Sequence, residues 1–200
     1  MKTKSKALLM TLCAVLLVAA SVLGTMAYLT STTGPVTNTF SIGKINITLD
    51  EAPVNVYGEV VEGARRTENQ YKLVPGHTYT KDPTVHVTAE NSENSWIFVK
   101  VVNGISAFEA DTKIADQITA KGWTKLEGVN GVDNVYYREY DKDSAVKNFV
   151  VFDKFTIAQN AETIDGWDTA TNANITITAY AVQQDGFATA KAAWDAAKFN

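Results

Sequence analysis

Beyond residue 38 the chain runs in short stretches of alternating apolar and polar residues, separated by Gly, Pro, Asn and Asp. Period-two alternation puts every second side chain on one face of a strand, so each stretch predicts a half-buried β-strand. Thr39 to Leu49 is the first. Phe40 and Ile42 share one phase, Ile45, Ile47 and Leu49 the other, and Gly43 stands where the phase flips, as a β-bulge requires. Val54 to Val61 predicts a short hairpin or loop excursion. Tyr71 to Val74 predicts a strand ending at Pro75-Gly76, a pair suited to a type II turn because Pro fixes φ and Gly accepts positive φ. Thr84 to Ala89 alternates, and Ser95 to Val102 is apolar in both phases, which predicts a central strand. Asn134 to Tyr140, Phe149 to Ile157 and Asn174 to Val182 complete the set, all rich in β-branched and aromatic residues.

Two segments carry the helical period instead. Asp111 to Ala120 places Ile114, Ala115 and Ile118 on one face, with Asp111 in position to cap the N-terminus. Thr189 to Phe199 is Ala-rich, with Trp194 and Phe199 as its large apolar side chains. About eight short strands with two short helices predict a mainly β fold, a jelly roll or β-sandwich. No internal repeat and no low-complexity tract interrupts it.

The first 27 residues follow a different logic. Lys2, Lys4 and Lys6 precede an uncharged run from Ala7 to Leu23, and Thr25-Met26-Ala27 then offers small residues to a signal peptidase. Charged, apolar and small-residue regions in that order make an export signal, with cleavage expected between Ala27 and Tyr28. The alternative, a retained membrane anchor, lacks a basic stop-transfer cluster. The domain plan is therefore a signal peptide (1–27), a flexible leader (28–38) broken by Gly34-Pro35, and a single β-sandwich domain (39–200). Contact with the membrane is expected only before signal cleavage.

Cleavage changes the charge and the chemistry. Losing Lys2, Lys4 and Lys6 from 18 basic residues against 22 acidic ones leaves a net charge of −7. Such a surface does not attract polyanions, so no nucleic-acid partner is expected. The one cysteine, Cys13, falls within the signal, so the exported chain has no disulfide and must be held by its core. The 173 residues after Ala27 contain all four tryptophans and suffice for one. Trp96, Trp123 and Trp194 read as core or helix-packing residues, whereas Trp167, behind the turn pair Asp165-Gly166, is the candidate for a ligand-binding face.

The leader and first strand (GTMAYLTSTTGPVTNTFSIGKINITLDE), the turn segment Leu73 to Asp82 (LVPGHTYTKD) and the last strand Asn174 to Gln183 (NITITAYAVQ) resemble the TasA/camelysin (CalY) family. The match is strongest over residues 1–102 and 147–183. The resemblance implies export by a SipW-type signal peptidase of Gram-positive bacteria, a jelly-roll domain and work outside the cell, in the biofilm matrix or at the cell surface. It also implies a homo-polymer or matrix-protein partner, because in fibre-forming members the segment freed by cleavage enters the next subunit as a donor strand. Here that donor would be Tyr28, Leu29, Thr30, Thr32 and Thr33, with Gly34-Pro35 interrupting the run.

Camelysin has been classed as a metallopeptidase, and that chemistry has requirements this chain does not meet. A zincin helix needs two His four apart with a Glu beside the first, whereas this chain has only His77, after a turn, and His86, in a strand. No Gly-x-Ser-x-Gly elbow surrounds Ser106. Asp141 and Asp143 lack the ligand sequence of a calcium loop and read, like Glu90 and Glu93, as solvated. A covalent crosslink of Lys44 to Asn172 or Asn174 would join the first and last strands. No catalytic residue, metal or cofactor is assigned. The terminal Phe199-Asn200 follows no sorting motif, so surface retention is expected to come from assembly, from a partner, or not at all. The expected function is thus a secreted, non-enzymatic structural protein; the alternative is an adhesin-like module for a glycan or host protein, with a peptidase last.

Overall fold

Ser95 to Val102, the run apolar in both phases, lies within the longest strands and is paired on both sides. A computed structural model of the chain describes residues 10, 12–14, 16, 45–88, 92–129, 133–168 and 173–199. The described strands are β1 (Ile47–Asp50), β2 (Thr78–Thr80), β3 (Thr84–Val87), β4 (Ser95–Asn103), β5 (Thr124–Lys125), β6 (Val135–Tyr140), β7 (Asn148–Val150), β8 (Lys154–Thr156) and β9 (Ile175–Gln183). Helices α1 (Ile114–Ala120) and α2 (Ala190–Ala197) accompany them. The strands form three antiparallel sheets, ordered β1-β3-β7, β2-β8 and β5-β6-β4-β9. The fold is mainly β and sandwich-like, as the alternation predicts.

Strand β4 shows how the layers arise. Ile97, Val99 and Val101 point to one side and join the main core with Val85, Tyr79, Phe152 and Phe155. Trp96 and Phe98 point to the other side, where Trp194 and Ala193 of α2 cover them. Each face of the four-stranded sheet therefore has its own apolar partner, and β4 is buried in both phases for that reason. Thr189 caps α2 by accepting a hydrogen bond from the Ala192 N–H. Trp96, Trp123 and Trp194 are buried, as expected.

Three expectations need correction. Phe149 to Ile157 is not one strand. β7 pairs with β3 and β8 pairs with β2, and the chain changes sheets at Val151-Phe152-Asp153. Val151 and Phe152 are both fully buried, which breaks the alternation at the crossing. Tyr71 to Val74 joins no ladder; the Tyr79 hydroxyl holds it, donating to the Lys72 carbonyl (2.6 Å) and accepting from the Val74 N–H (2.7 Å). Thr78–Thr80 is the strand there instead, because Pro75-Gly76 turns the chain before it: His77 N–H donates to the Val74 carbonyl, with Gly76 at φ +74°. Finally, Asp111 does not cap α1. The cap position is Lys113, without a side-chain bond, and the Glu109 carboxylate accepts from the Ile114 N–H at 2.9 Å.

The chain divides into two units, residues 1–42 and 43–200. In the first, Met10, Leu12, Cys13, Ala14 and Leu16 are helical, and Met10, Leu12 and Leu16 are exposed. No helix among the described residues is long and apolar enough to cross a membrane. The cleavage pair Ala27 and Tyr28, the donor residues Leu29, Thr30, Thr32 and Thr33, the bulge at Gly43, and Lys44 and Asn172 lie outside the described residues.

Candidate functional site

Two strands leave an edge unpaired on one side of the molecule among the described residues: β1, outermost in its sheet, and β9, outermost in the other. Between the end of β1 and the start of β9 lies a groove of about 1180 Å³. Its apolar lining includes Leu49, Tyr71, Phe155, Trp167, Ile175 and Ile177, and its polar lining includes Glu51, Asn69, Lys81 and Asn174. β9 explains part of this: Ile175, Ile177 and Ala179 share one phase and pack against the main core. Trp167 is half-buried here, edge-on to Phe108 with ring centroids 5.5 Å apart. It is thus both a groove residue and a packing residue.

The polar end of the groove is built on β1, where successive side chains diverge. Asp50 turns to the sheet face bearing His86. Its carboxylate accepts from Arg65 Nε and from His86 Nε2 at 2.8 Å, while Arg65 Nη1 reaches Asp82 at 2.8 Å. Arg65 Nη2 also donates to Thr84 Oγ1 at 3.0 Å. Burial alone would raise the Asp50 carboxyl, but the Arg65 and His86 hydrogen bonds outweigh it and hold the group below its ordinary value.

Glu51 turns inward. Lys81 Nζ donates to Glu51 Oε2 at 2.6 Å, with both side chains less than a tenth exposed. Asn69 Nδ2 donates to Glu51 Oε1 at 2.9 Å and to the Ala52 carbonyl at 2.9 Å. Asn69 Oδ1 accepts from the Val54 N–H at 3.1 Å. The Tyr71 ring lies 5.8 Å from Lys81 Nζ, and the Tyr71 hydroxyl donates to the Thr80 carbonyl at 3.1 Å. Burial above all, then the negative charges of Glu51 and Asp82, push the Tyr71 phenol well above its usual value, so it stays protonated. An antiparallel bridge between Glu51 and Arg66 fixes the backbone that carries these groups.

Neither histidine lines this groove. His77 Nε2 donates to the Tyr57 carbonyl at 2.8 Å and its ring packs on Tyr79. His86 is shared between Asp50 and Asn148. Ser106 is exposed and begins a short 3-10 turn, Ser106–Phe108, that buries Phe108. Asp141 and Asp143 form an exposed turn closed by the Asp143 N–H on Asp141 Oδ1, and Glu93 is exposed. No group of three or more His, Cys, Asp or Glu side chains is placed to hold a metal among the described residues. Asn174 contributes its backbone carbonyl to the Gly104 N–H. Sequence reasoning missed Glu51, Asn69 and Lys81, because no local pattern joins positions so far apart.

Fold and site together define a mainly β, sandwich-like protein with a groove between two strand edges. No family profile matches the chain, and no curated protein or solved structure is significantly similar to it.

Proposed function

We propose that this chain is a secreted, non-enzymatic structural protein of the TasA/camelysin type that assembles at the bacterial cell surface or in a biofilm matrix. Each subunit takes the leader of a second copy, Tyr28 to Thr37, as a donor strand. The observation carrying this reading is the groove between the β1 and β9 edges. An extended segment there gains backbone hydrogen bonds from a strand edge and packs alternate side chains on Ile175 and Ile177. The leader fits the role in sequence. It lies shortly before β1, carries β-prone Tyr, Leu and Thr, and has no charged residue from Tyr28 to Asn38. Export begins with a SipW-type signal peptidase cutting at Ala27, which frees Tyr28.

Electron microscopy of the exported protein tests the proposal. Filaments that disappear when residues 28–38 are deleted, from a chain still folded by circular dichroism, are the expected result. Monomers at every concentration would overturn it. Trp167 in the groove lining favours a second reading, a glycan-binding module. That reading gains if monomers bind a glycan array saturably and Trp167→Ala abolishes the signal.

A further inference from the structure

Among the described residues, a buried carboxylate, Glu51, holds a buried amine and a half-buried carboxamide at once. Glu51 spans the other two: Oε2 accepts from Lys81 Nζ at 2.6 Å and Oε1 accepts from Asn69 Nδ2 at 2.9 Å. A buried ion pair alone would need only Lys81 and Glu51. The third member sets the Asn69 carboxamide, whose Cγ is an electrophilic carbon, on the second oxygen of the carboxylate that holds the Lys81 amine, so one carboxylate is bonded to both nitrogen atoms. We propose that Lys81 and Asn69 form an intramolecular isopeptide bond, with Glu51 as the catalytic proton carrier.

Each part has its chemistry in place. Glu51 takes a proton from the Lys81 ammonium, which frees the Nζ lone pair. Nζ attacks Asn69 Cγ, and the negative charge that develops on Oδ1 is met by the Val54 N–H, already donating to that atom at 3.1 Å. The Cγ–Nδ2 bond breaks as Glu51 delivers a proton to Nδ2, and the nitrogen leaves as ammonia. The second proton released from Nζ passes through the same carboxylate and departs with the ammonia as ammonium. One C–N bond forms, one breaks, and no oxidant, metal or cofactor takes part.

The surroundings favour the step. Lys81 and Glu51 are 8% and 5% exposed at their side chains, so little water competes for the amine or the carboxylate. Asn69 is held through both carboxamide atoms, by Val54, Ala52 and Glu51. Holding both partners on one carboxylate replaces an encounter between separate molecules and lowers the entropic part of the barrier. The bond would tie residue 69 to the segment between β2 and β3. It is independent of strand exchange in the groove.

Mass spectrometry of the folded, full exported chain decides the matter, with its N-terminus determined separately. The expected intact mass is below the sequence mass by one ammonia, about 17 Da. Asn130-Gly131 could lose the same mass by cyclising to a succinimide, so the linkage itself must be read. Trypsin should release residues 67–72 joined to 73–100, uncleaved after Lys81. Lys81→Arg, Asn69→Ala and Glu51→Gln should each restore separate peptides, and Glu51→Gln does so with both reacting groups present. Separate, unmodified peptides 67–72 and 73–81 from the folded wild-type protein would overturn the proposal. Residues 45–65 joined to 73–100 and lighter by water, about 18 Da, would place the bond on the Glu51 carboxylate and overturn the role of Asn69. A bond that still forms in Glu51→Gln would overturn the role of Glu51.

Discussion

Phe98→Ala tests whether helix α2 is an integral layer of the fold. Phe98 is fully buried on the outer face of β4, against Trp194 at a ring-centroid distance of 5.1 Å, Phe199 at 6.3 Å and Tyr137 at 6.4 Å. Truncation removes its buried surface and leaves a cavity between sheet and helix, a loss of about 3–5 kcal/mol for a buried Phe. For a domain of this size each kcal/mol moves Tm by roughly 2–4 °C, so the melting point should fall by about 6–20 °C. Val102 supplies an internal control. It shares the phase of Phe98 on the same strand but is more than half exposed, and Val102→Ala should change stability by less than about 0.5 kcal/mol. Guanidinium unfolding followed by tryptophan fluorescence gives both values. A loss below about 1 kcal/mol for Phe98→Ala, equal to that of Val102→Ala, would refute the layered packing.

Asp50 predicts an acid-sensitive stability. Its carboxyl lies below the ordinary value in the folded chain, so its contribution is present above the unfolded value, about 3.9, and is lost as pH falls through the folded one. Urea unfolding from pH 6 down to pH 2 should show the wild type losing stability more steeply than Asp50→Asn, and parallel curves would contradict the Arg65 and His86 assignments. Glu109 has the opposite sign. Burial pushes its carboxyl up despite hydrogen bonds from the Ile114 N–H and Asn103, so stability rises as pH falls through that raised value. Glu109→Ala should cost roughly 1–2 kcal/mol at neutral pH through the lost cap. The gap should widen on acidification, and one that narrows would refute the sign. Gly58 has φ +76°, and a Cβ there would meet Tyr79 Cα at 2.6 Å. Gly58→Ala should cost at least about 1–3 kcal/mol, visible as a lowered urea midpoint, and an unchanged midpoint would show that the loop over Tyr79 can shift.

The strands were legible wherever one face meets the core and the other meets water or a second layer. Ser95 to Val102 is apolar in both phases because β4 lies between two apolar partners, whereas Asn174 to Val182 alternates with Ile175, Ile177 and Ala179 on the main core. Phe149 to Ile157 misled for the opposite reason. Phe149, Val151, Phe155 and Ile157 stay buried in one phase although the chain passes from a pairing with β3 to one with β2, and the buried Phe152 beside Val151 was the sequence trace of the crossing. Thr78–Thr80 was hidden differently. It is three residues long, and its hydroxyl-bearing ends give little apolar signal. What marks it is Tyr79, whose ring stacks on Phe155 at 4.9 Å and whose hydroxyl organises residues 72–74 from a distance that no local pattern encodes.

The polar end of the groove was less legible still, and the reason is topological. Burying Lys81 or Glu51 alone would be strongly unfavourable, so each burial is intelligible only once the partner is known. That partner lies beside the end of the neighbouring strand, brought near by the β1–β3 pairing, in which Asp50 meets Thr84. Lys81-Asp82 and Asp50-Glu51 each look like solvated turn charges along the sequence, but each splits between two faces in the fold. Asp50 and Asp82 share Arg65 on the outer side, while Glu51 and Lys81 meet inside. Alternation therefore sorts charges as it sorts apolar residues. On that inward phase the fold brings a lysine and an asparagine onto one glutamate, through Lys81, Asn69 and Glu51.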